Sequence, residues 1–152
     1  EHRIGKRLRE VLRVRRRTMK DRLNFSLFTL RLGIFIVMLF WTIDKFLRPD
    51  HAVTVYEQFY LLPGWGTTAM TAIGVAELIL IFGFLFGVKK RFTYGSILLL
   101  HAVSTFSSYK QYLDPFDKGN LLFFAAWPML AACLTLYLLR DDDTMFVFRR
   151  SV

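Results

Sequence analysis

The stretch TTAMTAIGVAELILIFGFLFGV, residues 67–88, carries one acidic side chain, Glu77, and no basic one. An α-helix of about 20 apolar residues spans the hydrocarbon core of a bilayer, so this stretch predicts a transmembrane helix. Glu77 is ten residues from its start, which places the carboxyl group about 15 Å deep at 1.5 Å per residue. A charge at that depth usually faces a protein interior or a wet cavity. The stretch therefore predicts an integral membrane protein with a polar interior.

Three further apolar stretches, at residues 26–47, 92–112 and 121–140, are also long enough to span a bilayer. Residues 92–112 are the least apolar of the four. The basic tripeptide at 89–91 joins the second stretch to the third, and so short a turn makes these two helices an antiparallel pair. We expect an all-α fold, an integral membrane four-helix bundle that occupies residues 25–140.

The amino-terminal segment is strongly basic. The chain has a net charge of +9, yet 54% of its residues are hydrophobic and its mean hydropathy is +0.35. Ten Lys or Arg residues against three acids fall within the first 22 residues. Because this run leads directly into a membrane span, the positive-inside rule explains it better than nucleic-acid binding does. We expect no nucleic-acid partner.

Residues 1–24 also show helical periodicity, with apolar residues at spacings of three, four and seven. These residues are Ile4, Leu8, Val11, Leu12, Met19 and Leu23. The pattern predicts an amphipathic interfacial helix at the cytoplasmic leaflet, in contact with the lipid bilayer and its anionic lipids. A docking arm for a partner subunit is the alternative.

The charges of the connecting segments predict the orientation. The basic arm, the turn at 89–91 and the tail at 141–152 lie on one side of a four-span arrangement. The positive-inside rule assigns that side to the cytoplasm, together with both termini. The longer outer loop, residues 48–66, predicts a short helix on the membrane surface. Its apolar and aromatic residues include Val53, Tyr56, Tyr60, Leu61 and Leu62, and Pro63 ends it.

Polar side chains follow one face of the third span. His101, Ser104, Thr105 and Ser108 stand at i, i+3, i+4 and i+7, and Tyr94 lies one heptad before His101. In lipid such a face points towards the bundle interior. Hydrogen bonding between helices is one explanation of the hydroxyl groups. A ligand-binding or proton-relay site is the other.

His101 is predicted to meet Glu77. Each lies about ten residues inside its own span, so the two reach similar depths on adjacent antiparallel helices. We expect the carboxyl group and the imidazole to contact each other. Such a contact either locks the bundle or forms a site for a proton or a polar head group.

The first span adds two cations. Arg31 and Lys45 are fourteen residues apart, so they share a helical face to within about 40°. Either side chain can snorkel to its own membrane interface. If the shared face points inward instead, the bundle holds an acid, an imidazole and two cations.

Metal and haem sites lack ligands in this sequence. His101 is the only histidine within a predicted span, and Cys133 is the only cysteine. A bis-histidine haem and a carboxylate–imidazole metal site both need further donors. We therefore expect no metal and no covalent cofactor, and Cys133 as a small core residue.

Several short motifs are shared with a known family. They are Arg31-Leu32-Gly33, Lys45, Pro49, Gly74-Val75-Ala76-Glu77 and the span around His101. On these motifs, residues 28–140 resemble the DoxX-like family of small bacterial four-helix membrane proteins. Trp41 and Thr42 occupy the stretch where the family usually has a glycine. The resemblance implies a multi-pass protein of the bacterial inner (cytoplasmic) membrane.

The resemblance also implies a redox role, since the family includes the membrane subunit of thiosulfate:quinone oxidoreductases. We expect an accessory or quinone-site subunit of a membrane redox complex, with electrons supplied by a partner subunit. The ligand-binding or proton-relay residues would be Glu77, His101, Arg31, Lys45, Tyr94, Ser104, Thr105 and Ser108. A non-enzymatic scaffold that assembles a larger complex is the alternative. A small-solute or proton-coupled carrier is disfavoured without repeats or broken helices, unless the chain forms a homo-oligomer.

Overall fold

The structure is a computed structural model that describes residues 2–60 and 64–148, without the side chains of residues 2–5 and 8. All regular secondary structure within these ranges is helical, so the all-α prediction is confirmed there. The helices are α1 His2–Leu47, α2 Pro49–Tyr60, α3 Thr67–Leu85, α4 Lys90–Ser107, α5 Tyr109–Leu113 and α6 Ala126–Leu138, with a 3₁₀ helix at Asn120–Ala125. The predictions that concern the side chains of Ile4 and Leu8, and those for Leu61, Leu62 and Pro63, fall outside the described part.

The basic arm and the first span form one helix. α1 runs for 46 residues without interruption, which is about 69 Å at 1.5 Å per residue. The predicted boundary at residue 24 falls in a stretch without Gly or Pro. Nearby, the Ser26 and Thr29 hydroxyls donate to carbonyls of the same helix rather than interrupting it. The arm is therefore continuous with the span.

Three helices of the described residues are long and apolar enough to cross a membrane. They are Arg9–Leu47 within α1, Thr67–Leu85, and Asn120–Leu138, which joins the 3₁₀ helix to α6. The third predicted span is shorter than expected, because α4 ends at Ser107 and α5 follows separately. α4 also carries His101 and several hydroxyl side chains, which lower its hydropathy. By length and composition, three of the four predicted spans are thus supported.

The long helices surround one apolar core. α1 and α4 each pack against both α3 and α6. The buried members of the core are Leu27, Ile34, Phe35, Met38, Ile81, Phe84, Tyr94, Ile97, Cys133 and Leu136. Large apolar side chains also cover the outer faces, among them Phe40, Ile79 and Leu99. Such an apolar exterior is typical of helices that contact acyl chains.

The predicted short helix of the outer loop is present as α2, and it packs against the bundle. It contacts α1, α3 and α4. The corner between α1 and α2 is held by Asp44, which accepts a hydrogen bond from Arg48 and contacts His51. α2 therefore covers one side of the helices, a position that its sequence alone does not specify.

The carboxyl-terminal segment, predicted as a tail from residue 141, folds back onto the bundle as far as residue 148. The Phe148 N–H donates to the Phe86 carbonyl at 2.7 Å. The Thr144 hydroxyl donates to Asn24 Oδ1 at 3.1 Å. The described part of this segment is therefore an integral part of the fold.

Gly87 lies where the carboxyl-terminal segment packs against the bundle. Its φ is +64°, and a Cβ there would lie 2.7 Å from Val147 Cγ1, whereas a Cβ on Gly33 of α1 would meet nothing within 4 Å. We predict that Gly87→Ala lowers the free energy of unfolding by about 1–2 kcal/mol. The control, Gly33→Ala, should raise it by up to about 1 kcal/mol, because alanine favours helix. Thermal unfolding in detergent measures both, and equal stabilities would contradict the docking.

Candidate functional site

A cavity of about 1070 Å³ lies between α1, α2 and α4. Its walls are largely apolar and aromatic, with Met38, Phe40 and Trp41 from α1 and Phe123 from the 3₁₀ helix. The polar residues that line it are Asp44, Lys45, Arg48, His51, Tyr56, Tyr60, Glu77, His101, Ser104, Ser107 and Ser108. An apolar cavity on which polar groups converge is the usual form of a small-molecule site.

Lys45 and Glu77 form the buried ion pair of this cavity. Lys45 Nζ lies 2.9 Å from Glu77 Oε2, and the two side chains are only 10% and 14% exposed. Thr42 Oγ1 lies 3.1 Å from the same carboxylate oxygen and 2.8 Å from the Met38 carbonyl oxygen, so its single hydrogen is shared between these two acceptors. The helices approach closely here because Gly74 leaves room for the Phe46 ring, which lies 2.8 Å from an ideal Cβ position. The added hydrogen bond helps to offset the cost of burying two charges.

Tyr56 of α2 completes the surroundings of this pair. Its ring centroid lies 5.7 Å from Lys45 Nζ, within the range of a cation–π contact. Burial, and next the negative charge of Glu77, raises the pKa of the Tyr56 hydroxyl above its usual value. The phenol therefore stays protonated at neutral pH and remains a hydrogen-bond donor beside the carboxylate. α2 thus supplies a donor that the sequence analysis did not assign to the site.

His101 has one satisfied and one unsatisfied ring nitrogen. Nε2 lies 3.0 Å from the Ala126 carbonyl oxygen. A carbonyl only accepts, so Nε2 carries the hydrogen, and Nδ1 of the neutral ring is then an acceptor. Nδ1 is buried and has no partner among the described residues. Most buried acceptors in folded proteins have a hydrogen-bond donor, and a bound ligand could supply the missing donor here.

The predicted contact between Glu77 and His101 is wrong. Glu77 pairs with Lys45 of α1, and His101 bonds to Ala126 of α6. Two residues at similar depth on neighbouring helices can still point their side chains in different directions, so depth alone does not predict a contact. The ammonium group is also a stronger partner for the carboxylate than a neutral imidazole is. Glu77 and His101 nevertheless line the same cavity.

The hydroxyl groups of α4 bond mainly within their own helix. Thr105 Oγ1 donates to the His101 carbonyl at 2.7 Å, and Ser108 Oγ donates to the Ser104 carbonyl at 3.1 Å. Ser104 and Ser108 line the cavity, whereas Thr105 is buried beside it. The hydroxyl hydrogens of Thr105 and Ser108 are therefore engaged in these hydrogen bonds. The Ser108 hydroxyl oxygen remains as an acceptor at the cavity wall.

Arg31 and Tyr94 belong to a second polar cluster, and neither lines the cavity. Arg31 donates to Asp143 Oδ2 at 2.5 Å, to the Tyr94 hydroxyl at 3.1 Å and to the Met145 carbonyl at 2.5 Å. The Tyr94 hydroxyl donates to Asp143 at 2.7 Å. Along α1, Arg31 lies about 21 Å from Lys45. The predicted site residues thus divide into two groups.

Asp143 is the residue that the sequence analysis missed. It is fully buried against Arg31, although its neighbours in the acidic run suggest a solvated tail. A signal was present, because an arginine about two turns inside a span needs a counter-charge if it does not snorkel. Lys90 reinforces the arrangement by donating to the Arg140 and Asp143 carbonyls. The two cations in the apolar part of α1, Arg31 and Lys45, therefore both point inward.

The pair of Arg31 with Asp143 predicts a large effect on stability. Asp143→Asn leaves the guanidinium group buried without a counter-ion, so we predict a loss of about 3–5 kcal/mol in the free energy of unfolding. Asp142→Asn, at the exposed neighbouring position, should change it by less than about 0.5 kcal/mol. Denaturant or thermal unfolding in detergent compares them. Equal stabilities of the two variants would contradict the buried pair.

Comparisons with known proteins leave the site to be interpreted from its own chemistry. Neither protein-family models, nor curated proteins, nor solved structures match this chain. Within the described ranges, no group of three His, Cys, Asp or Glu side chains is placed to hold a metal ion. The cavity, its ion pair and the unpartnered nitrogen of His101 are therefore the features that bear on function.

Proposed function

We propose that this chain is a quinone-binding, accessory subunit of a membrane redox complex. One observation carries the proposal: an apolar cavity is lined by the Lys45–Glu77 ion pair and by His101, whose buried Nδ1 has no partner among the described residues. A quinone combines a flat apolar ring with two carbonyl acceptors. The resemblance to the DoxX-like family supports the same reading from the sequence.

The cavity offers groups that fit both redox states of such a ligand. Lys45 and the Tyr56 phenol are donors for quinone carbonyl oxygens. Reduction to the quinol consumes two electrons and two protons, and each new hydroxyl can donate. His101 Nδ1 is the matching acceptor. In this proposal the electrons come from a redox centre of a partner subunit; the single cysteine of the sequence cannot form a dithiol centre by itself.

Glu77 is the residue that we assign to proton exchange with the ligand. Its carboxylate lies in the cavity, where Lys45 and Thr42 hold it in place. A positioned carboxyl group can give a proton to a ligand oxygen or take one from it. Lys45 in turn neutralises the carboxylate when the proton has left. With the carboxyl group ionised the pair has no net charge, and with the carboxyl group protonated it carries one positive charge.

The proposed setting is a bacterial inner membrane, crossed four times, with both termini in the cytoplasm. α4 is the least apolar of the four helices. It packs against α3 and α6, while Leu99 and Phe106 remain exposed. That distribution is compatible with lipid contact. Other membrane subunits or a second copy would complete the assembly.

Binding of a quinone tests the proposal directly. Trp41 lines the cavity, so quenching of tryptophan fluorescence in purified protein reports occupancy. We predict that Glu77→Gln weakens binding about tenfold, because a charge-assisted contact is lost. Tyr56→Phe should weaken it about two- to tenfold while leaving the ion pair intact.

The matched control is Glu57→Gln, an acid-to-amide change on the exposed side of α2 that does not line the cavity. It should bind quinone as the unmodified chain does. Two results would contradict the proposal: no quinone binding by the unmodified protein, or equal affinities for the Glu77 and Glu57 variants.

A scaffold role is favoured by a different observation, the long basic half of α1. Its described side chains from Lys6 to Arg22 are exposed, and this part of the helix extends beyond the apolar span. A charged helix of this kind can dock a partner subunit or anionic lipid headgroups.

Deletion of residues 2–20 separates the two functions. If the chain is mainly a scaffold, the deletion should reduce the mass of the native complex in membrane extracts while quinone binding stays unchanged. A complex of unchanged mass after the deletion would rule out this role for the arm. Native gel electrophoresis and fluorescence quenching on the same preparation make the comparison.

A further inference from the structure

We infer that the cavity binds the head group of a long-tailed amphiphile of the isoprenoid-quinone type, and that a groove between α1 and α6 holds its tail. The inference rests on the proposed function and adds a second subsite to it. The groove has a volume of about 580 Å³ and a mainly apolar lining. It is distinct from the cavity, yet it adjoins the cavity directly.

Shared residues show that the two hollows are neighbours. Trp41, Ser104, Ser108 and Phe123 line both of them. These residues therefore form the boundary at which a head group would end and a tail would begin. From Trp41 the groove extends along α1 to Thr29, about 18 Å at 1.5 Å per residue. A hollow of that length is suited to a chain and exceeds what a ring alone requires.

Gly33 gives the groove its depth on the α1 side. It lines the groove, and no neighbouring atom comes within 4 Å of an ideal Cβ position. Glycine is a poor helix former, and no close packing contact requires it at this place. Ala132 lines the facing wall on α6. Small residues on both helices thus leave open space where closer packing was available.

The groove presents little free hydrogen-bonding capacity. The Thr29 hydroxyl donates to the Ser26 carbonyl at 2.8 Å, and the Ser108 hydroxyl donates to the Ser104 carbonyl. Apart from Ser104 at the boundary with the cavity, the remaining lining is aliphatic, aromatic or thioether, such as Met129. An apolar chain is therefore a suitable occupant, while the charged and unpartnered groups remain in the cavity. Head and tail of one amphiphile match this division.

An acyl chain of an ordinary phospholipid is the competing occupant. It would fill the groove without using the cavity. The shared boundary at Trp41 favours a single ligand, because a tail in the groove emerges beside the Lys45–Glu77 pair and His101. The two cations at that end of the cavity already have carboxylate partners, Lys45 in Glu77 and Arg48 in Asp44, which weakens the attraction for a phosphate head group. The experiment therefore includes added phospholipid as a separate arm.

The test compares decylubiquinone with its tailless dimethoxymethylbenzoquinone head group, using quenching of tryptophan fluorescence in detergent. Gly33→Leu fills the groove from α1, and Ala132→Leu fills it from α6. We predict that each variant weakens decylubiquinone binding at least about tenfold and leaves the tailless compound unchanged. The matched control is Ile36→Phe, which adds bulk on the exposed face of α1 outside both hollows.

The outcomes separate the inference from the proposed function. Two results would overturn the tail site and leave the head-group site standing. One is an unchanged affinity for decylubiquinone in the groove variants. The other is that added phospholipid removes the difference in affinity between decylubiquinone and the tailless compound. Failure of the unmodified chain to bind either compound overturns the proposed function and the inference with it. If Gly33→Leu does not fold, Ala132→Leu alone decides.

Discussion

The structure depends on the burial of two cations in one helix. Arg31 and Lys45 lie on the same face of α1, and both are almost completely buried. An apolar environment cannot solvate a charge, so each cation requires a carboxylate within reach. Glu77 satisfies Lys45 and thereby joins α1 to α3. Asp143 satisfies Arg31 and joins α1 to the carboxyl-terminal segment. The two pairs fix how α1 is rotated within the bundle.

The two ends of the bundle are nevertheless different. Around Arg31, the Tyr94 hydroxyl and the Met145 carbonyl surround the ion pair closely, and neither Arg31 nor Asp143 lines the cavity. Around Lys45, a large cavity lies next to the pair, and a buried imidazole nitrogen has no partner among the described residues. The closed end is consistent with a structural role. The end around Lys45 has a charged pair and an unpartnered nitrogen to which a ligand could bond. For that reason the proposed site is confined to that end.

Periodicity and hydropathy predicted much of the fold. They identified the long helices and α2, but not α5 or the 3₁₀ helix, and they identified the inward face of α4 with Tyr94 and His101 and the pair of cations at Arg31 and Lys45. They did not predict that Asp143 contacts Arg31. Asp143 lies outside the spans, where periodicity and hydropathy assign neither a depth in the bilayer nor a helix face. They also misjudged the partner of Glu77. Depth and face leave several candidates on adjacent helices, and the choice among Lys45, Thr42 and His101 depends on how the helices rotate and pack. The position of α2 over the cavity was likewise a tertiary outcome.

The central claim is that a lysine and a glutamate are paired inside the bundle, beside the cavity, when the protein is in lipid. Solid-state NMR can measure the distance between Lys45 Nζ and the Glu77 carboxyl carbon in labelled protein in bilayers. The account predicts a direct contact, in keeping with the 2.9 Å between Nζ and Oε2. A separation too large for a direct contact would contradict it, because α1 would then present a different face to α3 and the cavity would lose its charged pair.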